Sequence, residues 1–534
     1  MANNLEFTTW TMRLIITSAI VACLAGAFVT AEECKCMPSD PCWPKASDWN
    51  SLNETIDGRL IRSVLPASVC YPAEPNYNVA ACQFVLSHWN TSAFHSADPV
   101  SVASPWTNST CNPIYPNGTS VAGDPDAGTK GCSLGSLPPY VVNATDASHV
   151  QAALKFATAW NLRTNIKNTG HNGAGRIWTH NMKGIQFHKD FLSQNCSRNS
   201  NTGDTQMAAT LGAGVQDGEI LDAMKHNNAI AVTGTSMDVG VVGWATGGGH
   251  GVLTGEYGMG ADNILEAVVV TPNGELLTAN ACQNEDIFWA IRGGGGGTFG
   301  VILSITIKAY PQPVVDVHGL SIIANNGTSS KSWWKLIAQV HALLPHLQGQ
   351  GLKGYYTIGG PPLVLLYNVL AHCSCSTNQM EHSRISQGLF NNFLQRPMDG
   401  TPNPSISGTM TISHEPVDNA LNPAWRETVV HLITSRSWKD SLSKPQVKQV
   451  VDDMTFSKLS LLRQLAPESG AYLNEANPFE PGWQWSFFGP NYARLRQIKD
   501  KYDPNGLLWC RQCVGSEDWV QREDGGLCRQ YNGY

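Results

Sequence analysis

The chain reads as an α+β protein of more than one domain, and three observations predict that class. Residues 137–167 run strand, helix, strand, and residues 207–233 repeat the pattern, so helices alternate with strands early in the chain. Long β-rich runs then follow at 264–271 and 298–307 without a helix of full length between them. Finally, glycine-rich stretches at 234–263 and 293–297 sit at strand ends, where tight turns are needed. At 534 residues with 42% hydrophobic composition, the chain can fill several cores.

The N-terminus sets the compartment. Arg13 precedes an apolar run over 14–29 that ends at Thr30 and Ala31. That run is shorter than the roughly 20 residues a bilayer span needs and closes on small residues, so 1–31 is predicted to be a signal peptide. The polar stretch before Met12 leaves both Met1 and Met12 open as the functional start. Only 14% of residues are charged, well under the usual ~25%. A net charge of −7 leaves no basic field for nucleic acid. Of 15 cysteines, Cys23 falls in the signal, and the even remainder in an exported chain predicts disulfides. Cys510 and Cys513 have zinc-ligand spacing, but no second such pair accompanies them. Sequons at Asn53, Asn90, Asn108, Asn117, Asn143, Asn195 and Asn326 agree with export and glycosylation.

Taken in order, 32–136 is rich in Cys, Pro, Ser and Asn, has few periodic runs, and is predicted to be a cross-linked, irregular lead-in with little chemistry. A strand begins near Leu137. Asp146 or Ser148 then caps a helix whose apolar positions Val150, Ala153, Leu154, Ala157 and Trp160 recur at helical spacing. A second strand over 162–167 feeds the polar loop Asn168, Thr169, Gly170, His171, Asn172. After a strand at 207–214, a helix at 217–227 and a strand at 229–233 comes the glycine run, read as too glycine-rich for helix or sheet to form from it alone. Such a backbone suits close approach by a bound group, above all phosphate. Residues 286–292 look helical and 298–307 form a strong strand that Pro311 and Pro313 close. From 314 to 480 helix and strand patterns mix, with Trp333, Trp334, Tyr355, Tyr356, Tyr367 and Trp425 expected mostly in the core.

Two motifs are decoys. Residues 295–300 satisfy G-x-G-x-x-G, yet a helix precedes and a strand follows, the reverse of the nicotinamide fingerprint. Residues 131–135 fit G-x-S-x-G, yet Pro138 and Pro139 block the helix that a nucleophile elbow requires.

The surviving features carry a resemblance. The start Cys34 to Pro44, the Thr246, Gly247, Gly248, Gly249, His250, Gly251 core, Gly260 to Asn263, and Asn491 and Tyr492 followed by 501–506 are similar to secreted fungal berberine-bridge-enzyme-like oxidases of the vanillyl-alcohol-oxidase superfamily, isoamyl alcohol oxidases among them. The resemblance implies a p-cresol-methylhydroxylase-type FAD-binding domain at 137–313 and a substrate domain at 314–480 with an antiparallel sheet covered by helices. The segment 481–534 would then return to the flavin domain. It implies FAD contacts from Asn168, Thr169, Gly170, His171, Asn172, Ser236, Val239, Gly240, Thr246, Gly247, Gly248, Gly249, His250, Asp262, Asn263 and Asn491. His171 stands at the covalent-link position and Ser236 where doubly linked members carry cysteine, so a single link through His171 is expected. The loop 172–176 is shorter than in relatives. Tyr492 is expected as the catalytic base. Val239 is the residue expected to control dioxygen access. Hydride from an alcohol-type or secondary-metabolite substrate would pass to flavin N5, with dioxygen reoxidising it to give hydrogen peroxide. The partners expected are thus a small molecule and dioxygen, for a secreted monomer with no membrane contact once the signal is removed. A non-catalytic secreted glycoprotein keeping the fold is the alternative.

Overall fold

The computed structural model describes residues 33–102, 111–171, 175–197, 205–315, 317–359, 365–370 and 405–530. The signal segment 1–31, the Asn108 sequon, Asn172, Cys373 and Cys375 lie outside the described residues.

Three main sheets organise the chain. The first is four-stranded, ordered Leu60–Arg62, Tyr140–Asn143, Ile177–Trp178, Ile166–Lys167. Its last two pairings are parallel, and the lead-in strand Leu60–Arg62 joins antiparallel. The helix Ala147–Ala159 connects within this unit. Asp146 caps it by accepting from the Ser148 and His149 backbone N–H groups, and Val150, Ala153, Leu154 and Ala157 are buried as their spacing predicts. The strand expected over 162–167 shortens to Ile166–Lys167. Upstream, the backbone pairs instead with the C-terminal segment: the Thr164 N–H donates to Leu507 and the Trp509 N–H donates to Thr164.

The second sheet is six-stranded and antiparallel. Val301–Pro311 is its central strand, flanked by Gln206–Gly212 and Ile264–Val270, and Ala229–Ala231 pairs with its far end. Val301, Ile305 and Ile307 on the central strand and Ala267 and Val269 on its neighbour are buried, which is why these strands are rich in apolar residues. The helix Glu285–Ile291 precedes the second glycine run and the strand follows it, so that run is no nicotinamide fingerprint.

The third sheet is five-stranded and antiparallel, ordered Val317–Ile322, Leu365–Leu370, Lys353–Gly359, Ser405–Thr409, His431–Thr434. The helix Ser330–Gly349 covers it, packing Trp333, Trp334 and Ile337 against Tyr356, Ile358 and Ile406. Of the aromatics expected in the core, Trp333, Trp334, Tyr356 and Trp425 are buried and Tyr355, discussed below, is half-buried, while the Tyr367 side chain lies outside what is described.

One expectation needs correction. The glycine run does build helix, over Val241–Thr246 and the short Thr254–Tyr257. Val241, Ala245 and Trp244 bury enough side chain between the glycines to hold a turn and a half.

Six disulfides lie among the described residues: Cys34–Cys528, Cys36–Cys42, Cys70–Cys82, Cys111–Cys132, Cys196–Cys282 and Cys510–Cys513. The C-x-x-C pair is thus bonded to itself and holds no zinc. Asn90, Asn117, Asn195 and Asn326 are exposed, whereas Asn53 and Asn143 are half-buried and accept hydrogen bonds from the Leu60 N–H and the Asn181 amide. No helix among the described residues is long and apolar enough to cross a membrane.

The C-terminal helix Tyr492–Tyr502 is anchored by a buried cation. Lys499 Nζ donates to the Thr298 carbonyl at 2.7 Å, the Leu508 carbonyl at 2.8 Å and Asp503 Oδ2 at 2.6 Å. Asp503 in turn accepts from the Leu507 and Leu508 N–H groups. Burial pushes the Lys499 ammonium below its ordinary value, against the opposing pull of Asp503. Lys499→Met strands the Asp503 charge, and the expected loss is about 3–5 kcal/mol. Thermal and denaturant unfolding of the purified variant measure it; a change near zero would mean that water replaces the ammonium.

Candidate functional site

The site begins at the loop leaving strand Ile166–Lys167. Trp178 Nε1 donates to the Asn168 carbonyl at 3.0 Å, and Asn168 Nδ2 donates to the Ala213 carbonyl at 2.8 Å. This fixes the amide and leaves Asn168 Oδ1 buried with no partner. Thr169 is buried, and Gly170 takes φ +80° with no room for a Cβ, which would stand 2.5 Å from Lys167 Cε. Lys167 is itself buried, donates to the His95 and Asp98 carbonyls, and is pushed down to about 8 by burial. These carbonyls belong to the lead-in, so the region read as carrying little chemistry holds the loop in place.

His171 ends the loop half-buried. Its ring donates to the backbone carbonyl of Asp238, yet burial still pushes it below the usual imidazole range. Its Nε2 is buried without a partner. Asp238 is steadied by Ser92 Oγ, which donates to its carboxylate at 2.6 Å.

The glycine run lies against this loop. A Cβ on Gly240 would meet Asn168 Nδ2 at 2.2 Å. Val239 packs beside the main core, and its carbonyl accepts from the Asp217 N–H at 3.0 Å; the half-buried Ser236 accepts from the Val239 N–H. Beyond the helix Val241–Thr246, the Thr246 carbonyl accepts from Gly293 and Gly295, tying the two glycine runs together. Gly247 faces Asn474, whose Oδ1 a Cβ would strike at 2.2 Å, and Gly248 and Gly249 both have positive φ.

At the end of this turn His250 meets the third sheet. Its Nδ1 lies 2.9 Å from Tyr355 Oη and its Nε2 3.2 Å from Glu475 Oε1. Glu475 keeps 39% of its side chain exposed. Burial alone would raise it, but His250 and His431 together hold it below the ordinary carboxylate value. His431, from strand His431–Thr434, is pushed down to about 4 by burial and has an unpartnered Nδ1. Trp425 and Tyr472 back the cluster edge-on, 5.5 Å apart. Asn474 Nδ2 donates to Tyr472 Oη at 2.8 Å, and burial raises that phenol, so it stays protonated.

Four of the expected site residues have their polar side chains engaged by other parts of the protein. Asp262 is filled by Arg426, which donates through both Nη atoms, by Asn419 and by the Met259 N–H. Asn263 donates to the carbonyls of Tyr257, Gly258 and Met259 and accepts from Tyr310. Asn491 donates to Leu421. Tyr492 donates to Glu517 on the C-terminal segment and accepts from the Gly515 N–H; burial and Glu517 raise its phenol, the opposite of what a base requires. The sequence reading did not single out Glu475, His431 or Asn474, which the structure brings beside the glycine run, and expected Tyr355 in the core. The only signal was the short polar run Tyr472, Leu473, Asn474, Glu475, and nothing in spacing ties it to His250, 225 positions earlier.

A flavin dinucleotide fits these residues: two buried polar atoms, Asn168 Oδ1 and His171 Nε2, lack partners beside backbone that tolerates no Cβ. The comparisons agree. Residues 138–280 match a family model described as FAD binding domain, and 471–515 one described as berberine and berberine like. The FAD-linked oxidoreductase patO of Aspergillus clavatus is 31% identical, covering 97% of this chain and 99% of its own. A VAO-type flavoprotein oxidase of Thermothelomyces thermophilus is 33% identical over 93% of this chain and 95% of its own. The crystal structure of a VAO-type flavoprotein from Myceliophthora thermophila C1 superposes with TM-score 0.80 at 30% identity, covering 93% of this chain and all of the other. Relatives that match along almost the whole length at this identity place the chain in a family: it belongs to the FAD-linked oxidoreductases of the VAO and berberine-bridge-enzyme-like type.

Proposed function

We propose that the protein is a secreted FAD-dependent oxidase acting on an alcohol-type or secondary-metabolite substrate, with the cofactor tethered through His171 alone. The observation that carries the reading is the pairing of Glu475 with His250. A carboxylate held ionised, half open to solvent, is bonded to an imidazole on the glycine-rich turn itself. FAD, when bound, would supply the hydride acceptor, with dioxygen as the proposed final oxidant. The chain's own part is to take the substrate's hydroxyl proton on Glu475, with His250 steadying the carboxylate and Tyr355 fixing the imidazole ring. Trp425 and Tyr472 exclude water behind the pair. Dioxygen as acceptor is supported by the lack of any second redox motif in the sequence and by the oxidase named among the relatives. The disulfides support export.

The tether rests on His171, whose depressed basicity keeps the imidazole neutral and whose Nε2 is free to bond. Acid-precipitated wild type is expected to retain yellow colour and flavin mass on a His171 peptide, and His171→Ala to release the colour. Flavin mapped to any other residue, or free in the supernatant of wild type, overturns the tether.

Glu475→Gln is expected to lower the rate of flavin reduction by about 10²–10⁴-fold, the usual loss for a general base. Tyr492→Phe should leave that rate near wild type. Because Glu475 titrates below its ordinary 4.5 and must be ionised, the acid limb of kcat/KM should fall as pH drops through a value under 4.5. Stopped-flow reduction across pH measures both; an acid limb near neutrality would point to a different base.

Val239→Leu, which fills space beside the core at the glycine run, is expected to slow reoxidation of photoreduced flavin by about tenfold, ~1.4 kcal/mol at the barrier. Equal rates in air-saturated buffer would remove that role from Val239, and a wild-type flavin that stays reduced in air would remove the oxidase assignment.

A further inference from the structure

His250, His431 and Glu475 come from three separate elements: the glycine-rich turn, strand His431–Thr434 and the turn Leu473–Glu475. One ring nitrogen of each histidine and one carboxylate oxygen lie within 4.8 Å of one another. The two rings stand 6.1 Å apart, tilted at 58°, so they converge without stacking. His431 Nδ1 is buried and unpartnered, and Glu475 leaves a path from solvent. The other such grouping among the described residues, Cys36, Asp40 and Cys42, has both sulfurs in a disulfide and offers no thiolate.

We propose that these three side chains form a binding site for a divalent transition-metal ion of the zinc type, and that the bound ion blocks turnover. Two imidazoles and a carboxylate with one position left open is a donor set that zinc accepts, with bonds of about 2.0–2.2 Å, and copper(II) ranks above zinc on the same set. Donors around such an ion stand roughly 3.4 Å apart in tetrahedral geometry. His250 and Glu475 already stand 3.2 Å apart, so a modest turn of the His431 ring completes the set. Tyr355 supplies the outer support. With Nε2 on the metal, His250 Nδ1 carries the ring proton and donates it in a hydrogen bond to Tyr355 Oη, 2.9 Å away. The ion then occupies the Glu475 oxygen that takes the substrate proton. That consequence for turnover rests on the oxidase reading; the binding itself does not.

Calorimetric titration of chelator-treated holoprotein with zinc chloride tests the site, alongside copper(II) electron paramagnetic resonance. Wild type should bind one equivalent, with coupling to two imidazole nitrogens in the copper spectrum. His431→Ala and Glu475→Gln should each weaken zinc by more than the ~10–100-fold that loss of an outer partner costs, and Tyr355→Phe by about that amount. His431→Ala should show a single coupled nitrogen. Zinc should lower the turnover of wild type, reversibly with chelator. No saturable zinc binding, or binding unchanged in His431→Ala and Glu475→Gln that keep flavin and melting temperature, overturns the proposal. Metal-free wild type without oxidase turnover would instead refute the functional reading, while the calorimetry and spectrum would still decide the metal site.

Discussion

Asp262 pins the C-terminal end of the glycine-rich run to the rest of the molecule. A backbone stripped of side chains has nothing of its own to pack, so its conformation must be imposed from outside. Asp262, 3% exposed, accepts from the Met259 N–H within the run and from Arg426 and Asn419 in the segment after strand Ser405–Thr409. One carboxylate therefore fixes the end of the glycine run and ties it to the third sheet. A buried ion pair of this kind adds little net stability compared with apolar packing, but it penalises every arrangement that leaves a charge unpaired. The relative placement of His250 and the third-sheet residues is specified in this way.

A second set of anchors comes from the chain ends. Cys34–Cys528 joins residues 494 apart in sequence, and the Lys499 network brings the last helix onto Thr298, where the central strand of the second sheet begins. The lead-in reaches the His171 loop through Ser92, His95 and Asp98. Segments without periodic pattern thus bond to the polar groups around the His171 loop and hold it in place.

The electrostatics of the site divide by depth. His431 and His171 lie deep enough for burial to favour the neutral ring, and Asp217, with one oxygen taking the Gly234 N–H and the other unpartnered, is raised to about 7 by burial. Glu475, at the rim, is the group that two imidazoles hold ionised. A carboxylate at the boundary of two sheets, in reach of two imidazoles, can receive a proton or a cation, and both readings of the site rest on that position.

Most of the fold was legible from local pattern. Helix Ala147–Ala159 announced itself by spacing and by its Asp146 cap, the apolar strands Ile264–Val270 and Val301–Pro311 by composition, and the decoy at 295–300 by strand order. The loop ending at His171 and the turn ending at His250 were also readable, because glycines that admit no Cβ leave a mark in the sequence itself. Cross-linking followed from the cysteine count, although the pairing did not. The partners of His250 were not readable, nor were the scaffold roles of Asp262, Asn263, Asn491 and Tyr492. A carboxylate in a glycine-rich motif looks the same whether it faces a ligand or an arginine 164 positions away. Periodicity and turn chemistry report on neighbours a few residues apart, whereas His250 meets Tyr355 and Glu475 across 105 and 225 positions, and only the packing of one sheet against another decides which polar groups meet.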